Sequence, residues 1–255
     1  MYSDKPPDAH QEGARHRQVT ANLLRLRVPG QFLGLGMMGL MGVFLLLSAS
    51  SGEVSLLSAS FGLGLFASAM GFALIGVIRF YPHGSIGWCN TITVFRLMLV
   101  SVITAWLFQS PEGAWSIVAF ASVAFAMDGM DGWLARREGY ISDFGARFDM
   151  EVDSVFALML ALLAFNSGVV GWFVLLLGVP RYMFFFAQIV CPWLNSDLPP
   201  RFSRKVVCVL QIAVLILVLV PIMSTPVSNA LVLAVLCAVG WSFWHDVRWL
   251  RRAKR

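Results

Sequence analysis

The sequence predicts an all-α fold, a polytopic bundle of about eight transmembrane helices, and three observations carry that expectation. Of the 255 residues, 58% are hydrophobic and only 13% charged, with a mean hydropathy of +0.74, whereas soluble domains carry roughly 25% charged residues. Apolar runs close to the roughly 20 residues that cross a bilayer recur along the chain. Lys and Arg are missing from every second connection between those runs, as expected for loops that alternate between two sides of a membrane.

In chain order the apolar runs place spans at 32–49, 54–78, 90–109, 114–134, 146–165, 168–190, 205–222 and 228–247. The connections "SASSGE", "QSPEG", "NSG" and "STPVSN" have the Gly, Pro and Ser content of turns. Ahead of the first span, "RHRQVTANLLRLRV" mixes Arg15, Arg17, Arg25 and Arg27 with Val19, Leu23, Leu24 and Leu26. That mixture suits an interfacial amphipathic helix and equally an unstructured tail. The polar, basic N-terminus is longer than the basic region of a signal peptide, so no cleavable signal is expected.

The connections at 50–53, 110–113, 166–167 and 223–227 hold none of the nineteen Lys and Arg residues. The other side holds the N-terminal arginines, Arg79, Arg136, Arg137, Arg201, Arg204, Lys205 and the closing "RRAKR". The positive-inside rule then puts both termini in the cytoplasm. It also accounts for the formal charge of +5 without a nucleic-acid partner. Cys89, Cys191, Cys208 and Cys237 form no CxxC pair and read as apolar packing residues; His10, His16, His83 and His245 are too dispersed for a zinc site.

The chemistry concentrates in "MDGMDGWLARREGYISDFGARFDMEVD", residues 127–153. It holds Asp128, Asp131, Glu138, Asp143, Asp149, Glu151 and Asp153, half of the chain's fourteen acidic residues. Asp128 and Asp131 end one apolar run at a spacing of three, and Asp149 and Asp153 begin the next at a spacing of four. Either spacing puts two carboxylates on one helix face. The short link between them predicts that spans four and five are antiparallel neighbours and that both pairs converge near the cytoplasmic surface. An uncompensated charge inside a span costs on the order of 3 kcal/mol. Hard cations relieve that repulsion, and all-oxygen ligation suits Mg²⁺, Mn²⁺ or Ca²⁺. Glu138, Asp143 and Glu151 read as loop or surface charges. Gly132 and Gly145 flank the pairs, which fits close ligand approach or tight helix contact.

These residues resemble the signature of the CDP-alcohol phosphotransferase (CDP-alcohol phosphatidyltransferase) family. The match comprises Asp128, Asp131-Gly132, Ala135-Arg136, eight residues, Gly145, three residues, Asp149, three residues and Asp153. "NTITVFR" adds Asn90, Thr93 and Arg96, similar to the family's Asn-x-x-Thr-x-x-Arg at its first core helix. The resemblance implies a six-helix core over residues 85–250, preceded by a tail at 1–31 and two added spans at 32–80. It implies transfer of a phosphatidyl group from CDP-diacylglycerol to a small alcohol, with release of CMP. By the same resemblance, Asp128, Asp131, Asp149 and Asp153 would hold two Mg²⁺ or Mn²⁺ ions, with Asp153 also the general base. Asn90, Thr93, Gly132, Ala135, Arg136 and Gly145 would shape the CDP site. A homodimer in the inner membrane of a bacterium is also implied; Gly36, Gly39 and Gly42 in the first span permit close helix contact between copies or within one.

The acceptor is less determined. Arg181, with Arg201, Arg204 and Lys205 at the start of span seven, would suit a phosphate such as that of glycerol 3-phosphate. Positive flanking of a span explains Arg201, Arg204 and Lys205 as well. Arg147 reads as a surface residue. The segment "FDMEVDSV" lacks the Pro and Ala-Asp-Lys common in members that make phosphatidylglycerophosphate, and the phosphatidylserine and phosphatidylcholine branches do not match. A competing class, a transporter or channel with an acidic cation site, predicts ionisable residues at mid-depth along several spans. Here the runs are clean and the carboxylates gather at one end.

Overall fold

The computed structural model describes residues 8–49, 55–108, 114–191, 194 and 201–253, with side chains for all of these except 8–26, 114, 131, 135 and 253. All regular structure among the described residues is helical. Helix α1 runs Asp8–Ala49 and α2 Leu56–Phe80; α3, Trp88–Ala105, ends in a 3₁₀ turn at Trp106–Phe108. Helix α4 spans Ala114–Glu138 and α5 Asp143–Asn166. A 3₁₀ turn at Trp172–Val174 leads into the short α6, Leu175–Gly178, and then α7, Pro180–Val190. Helices α8, Phe202–Val218, and α9, Thr225–Ala253, complete the chain.

The basic segment before the first span is helical and continuous with it, since α1 begins at Asp8 and passes through Pro29. Its side chains up to Leu26 lie outside the described residues, as do most of the "SASSGE" and "QSPEG" connections. Elsewhere the punctuation is local. Ser55 caps α2 by accepting from the Ser58 amide at 3.1 Å, and Ser142 caps α5 by accepting from the Gly145 amide at 3.0 Å. Gly139 and Gly168 leave α4 and α5 at φ of +73° and +69°, backbone that glycine adopts without strain. At Pro180, a residue that disfavours helix before it, the α6–α7 pair bends by 65°.

Among the described residues, five helical stretches are long and apolar enough to cross a membrane: Arg27–Ala49, Leu56–Phe80, Trp88–Phe108, Trp115–Glu138 and Thr225–Arg252. The bent pair at 172–190 makes six if counted as one span. Eight were expected, and helices stand at all eight places. The two that fall short are α5, whose first turns carry Asp143, Arg147, Asp149, Glu151 and Asp153, and α8, which is 17 residues long.

Helix α3 is the central element: every residue from Arg96 to Trp106 is buried, and α1, α2, α4 and α5 pack around it. Small residues permit the close approaches. A Cβ on Gly62 would lie 2.7 Å from the Ser101 carbonyl oxygen, and one on Gly178 3.0 Å from the Leu158 Cα. Spans four and five are not the direct neighbours that their short link suggests. Helices α4 and α5 each lean on α3 and on α8, with little contact between themselves. The 139–142 link joins only their ends, and along their lengths each packs on α3 and α8 instead.

The helix ends sort into two sets. At one, the Trp88 amide opening α3 donates to Glu138 Oε2 at the end of α4, 3.1 Å away. At the other, Asn166 of α5 reaches the Leu107 carbonyl, and Asn229 of α9 accepts from the Gly171 amide.

Candidate functional site

The site lies where the end of α4, the start of α5 and the first turns of α3 meet. Asp128 comes from α4, and Asp149 and Asp153 from successive turns of α5. One carboxylate oxygen from each of these three lies within 4.8 Å of the others, so the three could hold a metal ion. Their side chains are half-buried, open enough for an ion to enter. The side chains of Asp131 and Ala135 lie outside the described residues; both positions are on α4 within two turns of Asp128.

Arg96 of α3 stands in the midst of the three carboxylates. Its side chain is fully buried, with Nη1 2.6 Å from Asp128 Oδ1 and Nη2 3.0 Å from Asp153 Oδ1. Nη2 also bonds the Asp149 carboxylate and, at 3.3 Å, the Asp149 carbonyl. Sequence reading noted Arg96 only as part of a helix motif. Its spacing of three from Thr93 and six from Asn90 puts all three on one helix face, which was the available signal.

Asn90 and Thr93 are buried beside it, and Thr93 Oγ1 bonds back to the Cys89 carbonyl at 3.1 Å. A Cβ on Gly145 would come 3.2 Å from Asn90 Oδ1 and 3.1 Å from Ser142 Oγ, so this glycine admits α3 and the α5 cap to each other. Gly132 differs: among the described residues, a Cβ there would meet Arg136 Nη1 at 3.6 Å, an ordinary contact. Arg136 is exposed, while Arg137 lies over the Trp133 ring at 5.1 Å.

Sequence reading missed the clasp behind Asn90. Asn90 Nδ2 donates to the Tyr81 hydroxyl at 3.2 Å, and that hydroxyl donates to the Ser85 carbonyl at 3.1 Å. Ser85 Oγ meets the Tyr140 hydroxyl at 2.7 Å, and His83 Nε2 lies 3.1 Å from the Ile141 carbonyl. The α2–α3 loop thereby holds the α4–α5 link and fixes the Asn90 amide between them. Burial raises the Tyr81 phenol above its usual range, ahead of smaller contributions, so it stays a neutral hydrogen-bond donor. Glu138, expected as a loop charge, is the acceptor that opens α3.

The basic residues assigned to the acceptor take internal acidic partners where these are described. Arg181 pairs with Glu151 at 2.5 Å. Arg201 and Arg204 both bond the buried Asp246 of α9, at 3.2 and 3.1 Å. Lys205 is exposed, as is Arg147. Glu151, read as a surface charge, is exposed but carries this ion pair.

Fold and site define an all-helical protein of membrane-spanning composition with an oxygen-ligand cluster at one set of helix ends. The model of the family described as CDP-alcohol phosphatidyltransferase matches residues 88–244, more than half of the chain. The chain belongs to the CDP-alcohol phosphatidyltransferase family, whose members are phosphotransferases of phospholipid biosynthesis. The match begins at α3 and includes the whole aspartate cluster. Among solved structures none matches this chain.

Proposed function

We propose that the chain transfers a phosphatidyl group from CDP-diacylglycerol to the hydroxyl of a small alcohol, releasing CMP, at the cytoplasmic face of a bacterial inner membrane. The observation that carries this reading is the convergence of Asp128, Asp149 and Asp153 at the ends of apolar helices. A lipid tail can stay in the bilayer there while the nucleotide sits in water. The acceptor oxygen attacks the lipid-bearing phosphorus, its proton passes to the Asp153 carboxylate, and the bond from phosphorus to CMP breaks.

The donor set fits a hard divalent cation, being three carboxylate oxygens on two helices with Asp131 on the same turns of α4. Two Mg²⁺ or Mn²⁺ ions held by Asp128, Asp131, Asp149 and Asp153 would neutralise the pyrophosphate and stabilise the departing CMP. Asn90, Thr93, Gly132, Ala135, Arg136 and Gly145 shape the CDP site in this reading. The uncrowded contact at Gly132 among the described residues and the fixed Asn90 amide support those assignments.

Eight crossings with both termini cytoplasmic complete the proposal. The basic residues ending α2, α4 and α9 and opening α8 support that orientation. The core would comprise 85–250, with 32–80 as two added helices after a tail at 1–31, and the protein would form a homodimer. For a phosphorylated acceptor such as glycerol 3-phosphate, Arg181, Arg201, Arg204 and Lys205 are the candidate partners. The acceptor phosphate would compete with Glu151 and Asp246 for three of them.

The test is CMP release from CDP-diacylglycerol by purified protein in Mg²⁺ or Mn²⁺. The acceptor panel is glycerol 3-phosphate, serine, inositol, inositol phosphate, choline and phosphatidylglycerol, with product lipids identified by mass. One acceptor supporting turnover, and its loss in Asp153→Asn, are expected. No release with any acceptor would sink the enzyme reading.

A further inference from the structure

We propose that Arg96 is a built-in counter-ion of the aspartate cluster, which gathers the three carboxylates in the metal-free protein and competes with the cations for them. The inference rests on the metal reading above and adds a residue that sets how tightly the metal binds.

The argument starts from burial. A guanidinium on the central helix of an apolar bundle is tolerated only where acids meet it. Arg96 has no exposed side-chain surface and reaches Asp128, Asp149 and Asp153, one acid from α4 and two from α5. Three carboxylates whose oxygens lie within 4.8 Å of one another repel, and α4 and α5 make little direct contact that would hold them together. Among the described residues the guanidinium is placed to do so; it is charged at every physiological pH and forks toward several oxygens at once.

The same geometry sets up competition. A divalent cation binds carboxylate oxygens at about 2.1 Å, and Arg96 already sits within hydrogen-bond length of an oxygen from each of the three acids. Cation and guanidinium on shared carboxylates are like charges a few Å apart in a partly desolvated place, where such repulsion is weakly screened. Each acid has a second oxygen to offer, so the competition is one of charge: metal entry is expected to loosen the Arg96 contacts, and Arg96 to weaken metal binding as the cost of keeping the empty site assembled.

Full-length protein in detergent, wild type and Arg96→Gln, tests this with two readouts that need no turnover. Free Mn²⁺ is counted by electron paramagnetic resonance, and thermal unfolding is followed with and without Mn²⁺. Loss of the competing charge is expected to tighten Mn²⁺ binding about tenfold. The variant should unfold at lower temperature without metal and gain more from Mn²⁺ than the wild type does. If Arg96→Gln does not fold, Arg96→Lys carries the comparison, because its ammonium lacks the fork and should shift both readouts the same way by less. Unchanged or weaker Mn²⁺ binding in the folded variant overturns the inference while leaving the metal site intact. Absence of Mn²⁺ binding in the wild type overturns the metal reading itself, and the inference with it.

Discussion

Asp246 shows how one acid reorganises the basic residues around it. It is 7% exposed at the end of α9 and takes bonds from both Arg201 and Arg204 at the start of α8. In the sequence it is a lone acid in "WHDVRW", with nothing to couple it to arginines some forty residues earlier. The arginines themselves are partly exposed, so water screens the pair and the loss on breaking it is modest. Asp246→Asn is expected to cost about 1–2 kcal/mol of stability, measured by denaturant or thermal unfolding in detergent. If a phosphorylated acceptor is used, the same change should lower its KM, because the arginines no longer share an internal anion. A rise in that KM would argue that Asp246 positions the arginines for substrate.

The elements that matter most are helix ends and the links between them. Ser142 and Ser55 cap their helices as serines before helical runs should, and the positive-φ glycines stop α4 and α5. Such devices act within a few residues and are legible in principle, though only the turn content of "NSG" was read from the sequence. The clasp between the 81–87 and 139–142 links was not legible, since Tyr81, His83, Ser85 and Tyr140 meet across more than fifty residues of chain. Tyr81→Phe removes the hydroxyl that both receives from Asn90 and donates to Ser85. It is expected to lower stability by about 1 kcal/mol. If Asn90 serves the CDP site, KM for the CDP-lipid should rise several-fold while the acceptor KM holds. A fall in stability with both KM values unchanged would leave Asn90 a purely structural residue.

Across the whole molecule, the first two helices are built into the fold although the family match begins at residue 88. Phe32 of α1 makes edge contacts with Phe144 and Phe148 of α5, with ring centroids 6.3 and 6.2 Å apart. Gly76 of α2 admits the Phe144 ring, and Gln31 accepts from the Ile86 amide. Gly36, Gly39 and Gly42 face Met70, Phe66 and Met98 of the same chain, which gives the glycines of the first span an internal use. A chain beginning at residue 85 should therefore lose cooperative unfolding and bind no Mn²⁺, even though every aspartate remains. Retention of both by the shortened chain would make 32–80 an accessory that the core does not need.

The sequence by itself determined the helical class, the helix positions, the segregation of basic residues and the aspartate signature. Each of these is carried by composition or by spacings of three and four, which local geometry translates directly into a shared face. Tertiary structure alone decided which groups meet across the bundle. It packed α3 against both α4 and α5, drove Arg96 into the carboxylates, and gave the buried Asp246 its arginine partners. The physical reason is that a buried charge takes the nearest opposite charge the fold presents, and that neighbour depends on helix packing between segments far apart in the chain.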